Sequence, residues 1–372
     1  MTHRVLYVEN DHGAVGGSAR ALTSLIRHLD RDRFEPVATL AETSPSPLRA
    51  TLRDLDCRVV PLGRSPLPRP ADSLGDGDQP GLATKLRQRI GAFLRRDVEL
   101  GLRLIRLLQR ERIDLVHANN NLRVNRYASW AAGRCGLPVV AHPRFLFPPN
   151  RADAANARRV RAICCISQQV RDSLAPIESL CDIRLVYDGV DIPAQAPDPP
   201  ALAPNPTIAA VGRLVGWKGQ HTLIHAAPRV LERHPGARIV LAGSGDPQGA
   251  YEANLRRDVE ALGIADRVEF CGHVDDMQRF YRERADIVVH CSVTPEPFGL
   301  VMAEAMAASR PLVASDLGAS AEIVEHEKTG LLYRAGDSDA LADALLRMLD
   351  RPAWAQDLAR HGFERAAERF DA

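Results

Sequence analysis

Short apolar runs recur along this chain with room for one helix after each. That alternation constrains the fold more than any other feature of the sequence. Val5 to Val8, Pro36 to Leu40, Arg58 to Leu62, Leu115 to Ala118, Pro138 to Ala141 and Ile163 to Ile166 read as strands buried on both faces. Strands of that kind belong to parallel sheets covered by helices. Asp191 to Pro206 then carries six prolines and no helical pattern, which predicts a linker. The alternation restarts with Ile208 to Val211, Arg238 to Ala242, Val268 to Cys271, Ile287 to His290 and Leu312 to Ser315. At 372 residues the chain exceeds what one core usually spans. The expected fold class is α/β, with two Rossmann-like domains facing an interdomain cleft, where small-molecule sites tend to sit. The expected boundaries are 1–190 for the first domain, 191–206 for the linker, 207–355 for the second domain and 356–372 for a terminal helix.

The most specific segment is Ser292 to Met306, SVTPEPFGLVMAEAM, in which Glu296 stands eight residues before Glu304. Pro295 and Pro297 favour an extended chain, Phe298 and Gly299 a turn, and Leu300 to Ala308 a helix. The first N–H groups of that helix, near Phe298 to Val301, lack intrahelical partners, and with the helix dipole they favour an anion between two carboxylates. Carboxylates bind hydroxyls and a helix start binds phosphate, so a diphosphate flanked by two sugars suits the segment. A capped core helix with a surface acid would read similarly.

Ala209 to Gln220, AAVGRLVGWKGQ, leads to the same chemistry. Arg213 and Lys218 follow a strand whose carboxyl end, in a parallel sheet, faces the ligand. An ordinary basic strand–helix turn is the alternative. The chain has three lysines (Lys85, Lys218 and Lys328) beside forty-five arginines, so a lysine here suggests a need for a compact point charge.

With these motifs the chain resembles the retaining glycosyltransferases of family 4, the glycosyl transferases group 1, which have the GT-B fold. The resemblance covers Gly16-Gly17, "DLVHA" at Asp114 to Ala118, "PVVAHP" with His142, "CCIS" ending at Ser167, "YDGVD" at Tyr187 to Asp191, "VGRLVGWKG", "LAGSGD", "VEFCGHV" and "PEPFGLVMAEAMAASRPLVAS". It implies an acceptor-side N-terminal domain, a nucleotide-sugar-binding C-terminal domain, retention of anomeric configuration, and a final helix that crosses back onto the first domain. Asp188 stands where the family more often has Asn.

Composition excludes several other classes. A net charge of +1 gives no reason to invoke nucleic acid. The seven cysteines lack a CxxC pair and read as reduced core residues of a cytoplasmic protein. Met1 to His12 has too short an apolar run for a signal peptide, and no stretch approaches a membrane span. Residues 63–112 depart from a lean βα repeat. The part to Pro80 reads as an insertion loop. From Leu82, the residues Leu82, Leu86, Ile90, Phe93 and Leu94 share a helical face flanked by Lys85, Arg87, Arg89, Arg95 and Arg96. Such a helix suits peripheral contact with an anionic membrane on its inner face, though a helix packed on its own sheet has the same period.

In the N-terminal half, Gly16 and Gly17 open a helix where bare backbone can approach a ligand, but the G-x-G-x-x-G of a nicotinamide enzyme is missing. His142, and more weakly His117, ends a strand and is a candidate partner for a sugar hydroxyl or phosphate. Asp54-Leu-Asp56 and Asp76-Gly-Asp78 have D-x-D spacing and are read as coincidence. No metal and no cofactor are expected.

The expected reaction moves a sugar from a nucleoside diphosphate sugar, UDP- or GDP-linked, to a hydroxyl of a lipid-linked or cell-envelope glycan. Glu296, His142, Arg213 and Lys218 are the catalytic candidates. Gly16, Gly17, Arg213, Lys218, Phe298, Gly299, Leu300 and Glu304 are the donor-binding candidates, with Gly272, His273 and Val274 at the base. Two alternatives stay open: a sugar-nucleotide epimerase or hydrolase, which would need no acceptor, and a silent partner subunit of a glycan assembly complex.

Overall fold

The computed structural model describes residues 2–9, 16–40, 47–62, 98–120, 122–123, 125–202, 204–245 and 249–372. The chain divides into two compact units, Met1–Val186 and Tyr187–Ala372.

In the first unit, β1 (His3–Glu9), β2 (Phe34–Leu40), β3 (Arg58–Val59), β4 (Leu115–Asn119), β5 (Val139–His142), β6 (Ala162–Cys165) and β7 (Asp182–Leu185) form one sheet in the order β3-β2-β1-β4-β5-β6-β7. All its pairings are parallel. Order reverses between β1 and β4, which places a topological switch at their carboxyl ends. Val5 to Val8 are buried, as a strand with helices on both faces requires. Helix α1 (Gly17–Arg27) follows β1, and α2 (Pro47–Asp54) follows β2.

Of the 63–112 region, residues 98–112 are described, and the insertion loop and basic helix expected over 63–97 lie outside the described residues. The described part contains α3 (Leu100–Arg110), which buries Leu100, Leu104, Leu107 and Leu108 against its own unit. It crosses α4 (Arg126–Arg134) at Gly101, where a Cβ would stand 2.5 Å from the Trp130 ring. Ser167, which closes "CCIS", caps the next helix by accepting from the Val170 N–H at 3.1 Å.

The second unit repeats the plan with β8 (Thr207–Val211), β9 (Arg238–Ala242), β10 (Val268–Gly272), β11 (Ile287–His290), β12 (Leu312–Ser315) and β13 (Leu331–Tyr333), in the order β10-β9-β8-β11-β12-β13. Its switch lies between β8 and β11. The proline-rich stretch is not a free linker. It lies inside the second unit, where the Pro200 carbonyl accepts from Gln356 at 3.1 Å and that of Asp198 from Arg310 at 3.0 Å. The terminal helix, Pro352–Arg369, packs on its own unit, with Gly362 giving close approach to Met306.

Arg310 is buried, and its guanidinium donates to the carbonyls of Ala308, Ala285 and Asp198. Burial lowers its pKa from the usual value, so the cation is held there by carbonyl dipoles. Arg310→Ala leaves those carbonyls without their donor and is expected to destabilise the second unit by about 3 kcal/mol, read from urea unfolding midpoints.

Among the described residues no helix is long and apolar enough to cross a membrane. All seven cysteines are free thiols; Cys57, Cys165 and Cys291 are buried and the others partly so.

Candidate active site

The second unit gathers its polar groups at the carboxyl ends of β8 and β11. After β8 the chain turns through Gly212 and Arg213 into a short 3-10 turn, Gly216–Lys218, and then Gly219 with φ 67°. A Cβ on Gly219 would lie 2.0 Å from the Cys291 carbonyl oxygen, so only glycine lets this loop close onto the end of β11. The Val293 N–H donates to the Trp217 carbonyl at 2.9 Å and fixes the approach.

That approach brings Lys218 Nζ to 2.6 Å from Glu296 Oε1. His290 Nε2, at the last residue of β11, lies 2.9 Å from the same oxygen, and the Ser292 hydroxyl donates to it as well. Every described hydrogen bond of the Glu296 side chain therefore ends on Oε1, and Oε2 has none among the described residues. Burial of this carboxyl raises its pKa, but His290 and Lys218 outweigh burial and hold it well below the usual carboxylate range. Glu296 is thus a buried, ionised acid with one oxygen anchored.

Arg213 is exposed, with its guanidinium carbon 5.9 Å from the Trp217 ring, while Lys218 Nζ lies 4.7 Å from the same ring. The partly exposed indole sits beside both cations. Phe298 is otherwise placed than a ligand-facing side chain would be: it is buried between the rings of Tyr187 and Phe370, at 6.0 and 5.7 Å. Only its backbone remains for a ligand. Gly299, at φ 98°, begins the helix Leu300–Ala307, and no side chain caps it. Its N–H groups stay available to an anion. Glu304, within this buried helix, accepts from the Tyr281 hydroxyl at 3.0 Å. Gly272 ends β10 with φ 73° and open space where a Cβ would be, His273 is exposed beside Asp275, and Val274 is half-buried.

The first unit has its own polar cluster at the ends of β1, β4 and β5. Gly16 and Gly17 start α1, and a Cβ on either would meet no described atom within 4 Å. His142 is buried, its Nδ1 3.2 Å from His117 Nε2, and its Nε2 has no partner among the described residues. Burial, reinforced by the Arg144 cation, pushes His142 well down, and His117 down to about 3, so both rings are neutral. Beside them, buried Glu9 accepts from Asn119, Asn120 and Ser18, and Arg144 donates to Asn119 Oδ1 at 2.7 Å. Burial raises the pKa of Glu9 from the usual value.

Sequence reasoning missed Glu9, Arg144, Asn119 and Asn120, and, in the second unit, His290, Ser292 and Tyr281. The runs "YVEN" and "HANNN" put polar residues directly after strands, and that was the available signal.

Two family models divide this architecture between them. "Glycosyltransferase Family 4" matches residues 15–193 and "Glycosyl transferases group 1" matches 192–368. The chain belongs to the family 4, group 1 glycosyltransferases. It is 30% identical over 267 residues to a glycogen synthase of Mycobacterium tuberculosis, a match spanning 70% of this chain and 59% of that protein. It is 34% identical over 177 residues to the GDP-mannose-dependent alpha-(1-6)-phosphatidylinositol monomannoside mannosyltransferase of the same species, 43% of this chain and 45% of that one. The chain thus spans about half the length of these curated relatives. The crystal structure of Anabaena HepE in complex with UDP-glucose has the same fold, with TM-score 0.78, 23% identity, and coverage of 99% of this chain and 95% of that one. These likenesses fit the α/β GT-B fold of two parallel sheets with flanking helices.

The D-x-D pairs do not form a site in the described residues: Asp54 ends α2, Asp56 follows in a turn at φ 52°, and Asp76 and Asp78 lie outside them. Among the described residues no group of three His, Cys, Asp or Glu side chains is arranged to hold a metal ion.

Proposed function

We propose that this glycosyltransferase moves a sugar from a nucleoside diphosphate sugar to a hydroxyl acceptor with retention of configuration. The observation that carries this reading is Glu296, ionised, held on Oε1 by Lys218, and three residues before the uncapped helix start at Gly299. A sugar offers hydroxyls to Oε2, and a diphosphate offers charge to Lys218, Arg213 and the N–H groups at Phe298 to Leu300.

In the reaction the bond between the anomeric carbon and the β-phosphate oxygen breaks, and its electron pair leaves on the diphosphate. Fixed cations and N–H dipoles stabilise that charge, an effect commonly worth several kcal/mol. Glu296 orients the sugar hydroxyls and opposes the positive charge developing on the ring. The acceptor oxygen bonds the anomeric carbon on the face the leaving group departs, and its proton passes to the departing phosphate. Glu304 supplies a carboxylate for the ribose, held from behind by the buried Tyr281 hydroxyl, and the backbone from Gly272 to Val274 reads the base. No metal is assigned a role, because cations and a helix dipole already oppose the diphosphate.

A UDP- or GDP-sugar donor is supported by UDP-glucose in the HepE structure and by the GDP-mannose dependence in the mycobacterial relative's name. The phosphatidylinositol monomannoside in that relative's name supports a lipid-linked or cell-envelope glycan here. A cytoplasmic enzyme seated peripherally on the inner membrane face fits such an acceptor.

A thermal shift panel with UDP, GDP, ADP and dTDP tests the donor site. A hundredfold excess over Kd adds about 2.7 kcal/mol, each kcal/mol being about 2–4 °C in a unit of this size. One base is expected to raise Tm, and Lys218→Ala to abolish most of that rise. No rise with any of the four would overturn the nucleotide-sugar reading.

A further inference from the structure

Glu296 is held by partners of unequal mobility. Lys218 reaches Oε1 on a flexible stem that remains partly exposed, and any diphosphate bound beside it competes for the same ammonium. His290 has no such freedom. It is 3% exposed, its backbone is paired with Ala314 of β12, and its Nδ1 faces the Ser315 hydroxyl at 3.4 Å. Gly299 closes the remaining side, since a Cβ there would stand 3.8 Å from His290 Nε2 and 2.5 Å from Met302 Cε. The Glu296 carboxylate can only accept, so His290 Nε2 donates its N–H to Oε1, and the Ser315 hydroxyl holds the ring from the Nδ1 side.

On the nucleotide-sugar reading above, we infer that His290 is a positioning residue that keeps Glu296 Oε1 anchored when Lys218 turns to the diphosphate, so that Oε2 meets the sugar hydroxyls. A buried carboxylate deprived of its ammonium partner would otherwise swing toward water or take a proton. Ser292 shares the anchoring, and Ser315 sets the ring. The backbone of Glu296 is fixed separately, by its carbonyl accepting from the Ala319 N–H at 3.2 Å. Side-chain anchoring and backbone anchoring are thus distinct, and a change at His290 acts on the first alone.

The test compares Kd values by calorimetry for UDP against UDP-glucose, and GDP against GDP-mannose, using the full chain. Wild type, His290→Leu, His290→Gln, Glu296→Ala and the His290→Leu/Glu296→Ala double variant are measured, with Tm of each. His290→Leu is expected to change the ratio of sugar-nucleotide to bare-nucleotide Kd by about tenfold toward that of Glu296→Ala, with bare-nucleotide Kd nearly constant. His290→Gln, whose amide N–H reaches the place of Nε2, is expected to keep the wild-type ratio. In the Glu296→Ala background His290→Leu should add nothing, as coupling through one carboxylate requires. An unchanged ratio in His290→Leu, or the same change in both backgrounds, overturns the inference and leaves the donor reading standing. A wild-type protein that binds none of the four overturns both. If His290→Leu does not fold, His290→Gln against the shorter His290→Asn decides: equal ratios in the two would sink the idea.

Discussion

Glu296→Ala is expected to lower nucleotide-sugar turnover about 10²–10³-fold and to change the affinity for the bare nucleoside diphosphate only a few fold. The carboxylate is the acid whose free oxygen would face the donor sugar, so its loss acts in the transition state rather than on the nucleotide. Lys218 and the uncapped helix start at Gly299 remain to meet the diphosphate. Glu296→Gln separates charge from shape. It keeps an oxygen for Lys218 and His290 but removes the negative charge opposed to the developing ring charge. It should fall between wild type and Glu296→Ala. The measurement is release of UDP or GDP from the matching sugar nucleotide, with Tm taken on the same samples. Turnover within threefold of wild type in Glu296→Ala would remove this residue from the mechanism.

pH should leave that carboxylate ionised across the neutral range. Its folded pKa is depressed, so the stability it contributes is present above the unfolded value of about 4.3 and is lost only as pH falls further, through the folded value. Acid inactivation above about pH 5 must then have another cause. Glu9 has the opposite sign: burial raises its folded pKa, so as pH rises from the unfolded value through the folded one, it progressively withdraws stability from the first unit. Stability of Glu9→Gln, followed against pH by urea unfolding, should lose that slope.

The sheets were legible because strands buried on both faces are written as unbroken apolar runs. Arg238–Ala242, Ile287–His290 and Leu312–Ser315 fall where their residues place them. The strand Asp182–Leu185 was not legible, because it closes the sheet edge with the polar pattern Asp-Ile-Arg-Leu, and Leu331–Tyr333 is too short to show a period. The proline-rich stretch misled for a different reason. Proline forbids helix but not docking, and carbonyls at Asp198 and Pro200 accept side-chain donors from far along the chain. At the site, Glu296 announced itself through its prolines and the helix after it. Its pairing with Lys218 could not be read, since it depends on Gly219 passing against the Cys291 carbonyl. His290 looked like one more residue of a buried strand, and only the register of β11 with β12 shows Ser315 beside it. Phe298 was assigned to the donor through its backbone N–H, and the sequence did not show that its ring packs with Tyr187 and Phe370.

Gly318→Ala should reduce turnover about 10²-fold, with the nucleotide still bound. Gly318 has φ 70°, and a Cβ there would stand 2.6 Å from the Glu296 N atom and 2.7 Å from its carbonyl oxygen. Both neighbours are backbone, so the methyl cannot be accommodated by a side-chain rotation. The Pro295–Pro297 segment must move, and Glu296 moves with it. A displacement near 1 Å at a positioning group is enough for a loss of that size. The left-handed φ adds about 1 kcal/mol of strain whatever the surroundings. Gly263→Ala isolates this second effect, because Gly263 has φ 66°, open space where the Cβ would be, and no part in the site. The two variants should therefore lose some Tm alike, whereas turnover should fall in Gly318→Ala alone. Equal turnover in the two would show that the segment carrying Glu296 tolerates displacement, and the requirement for a fixed carboxylate would fail with it.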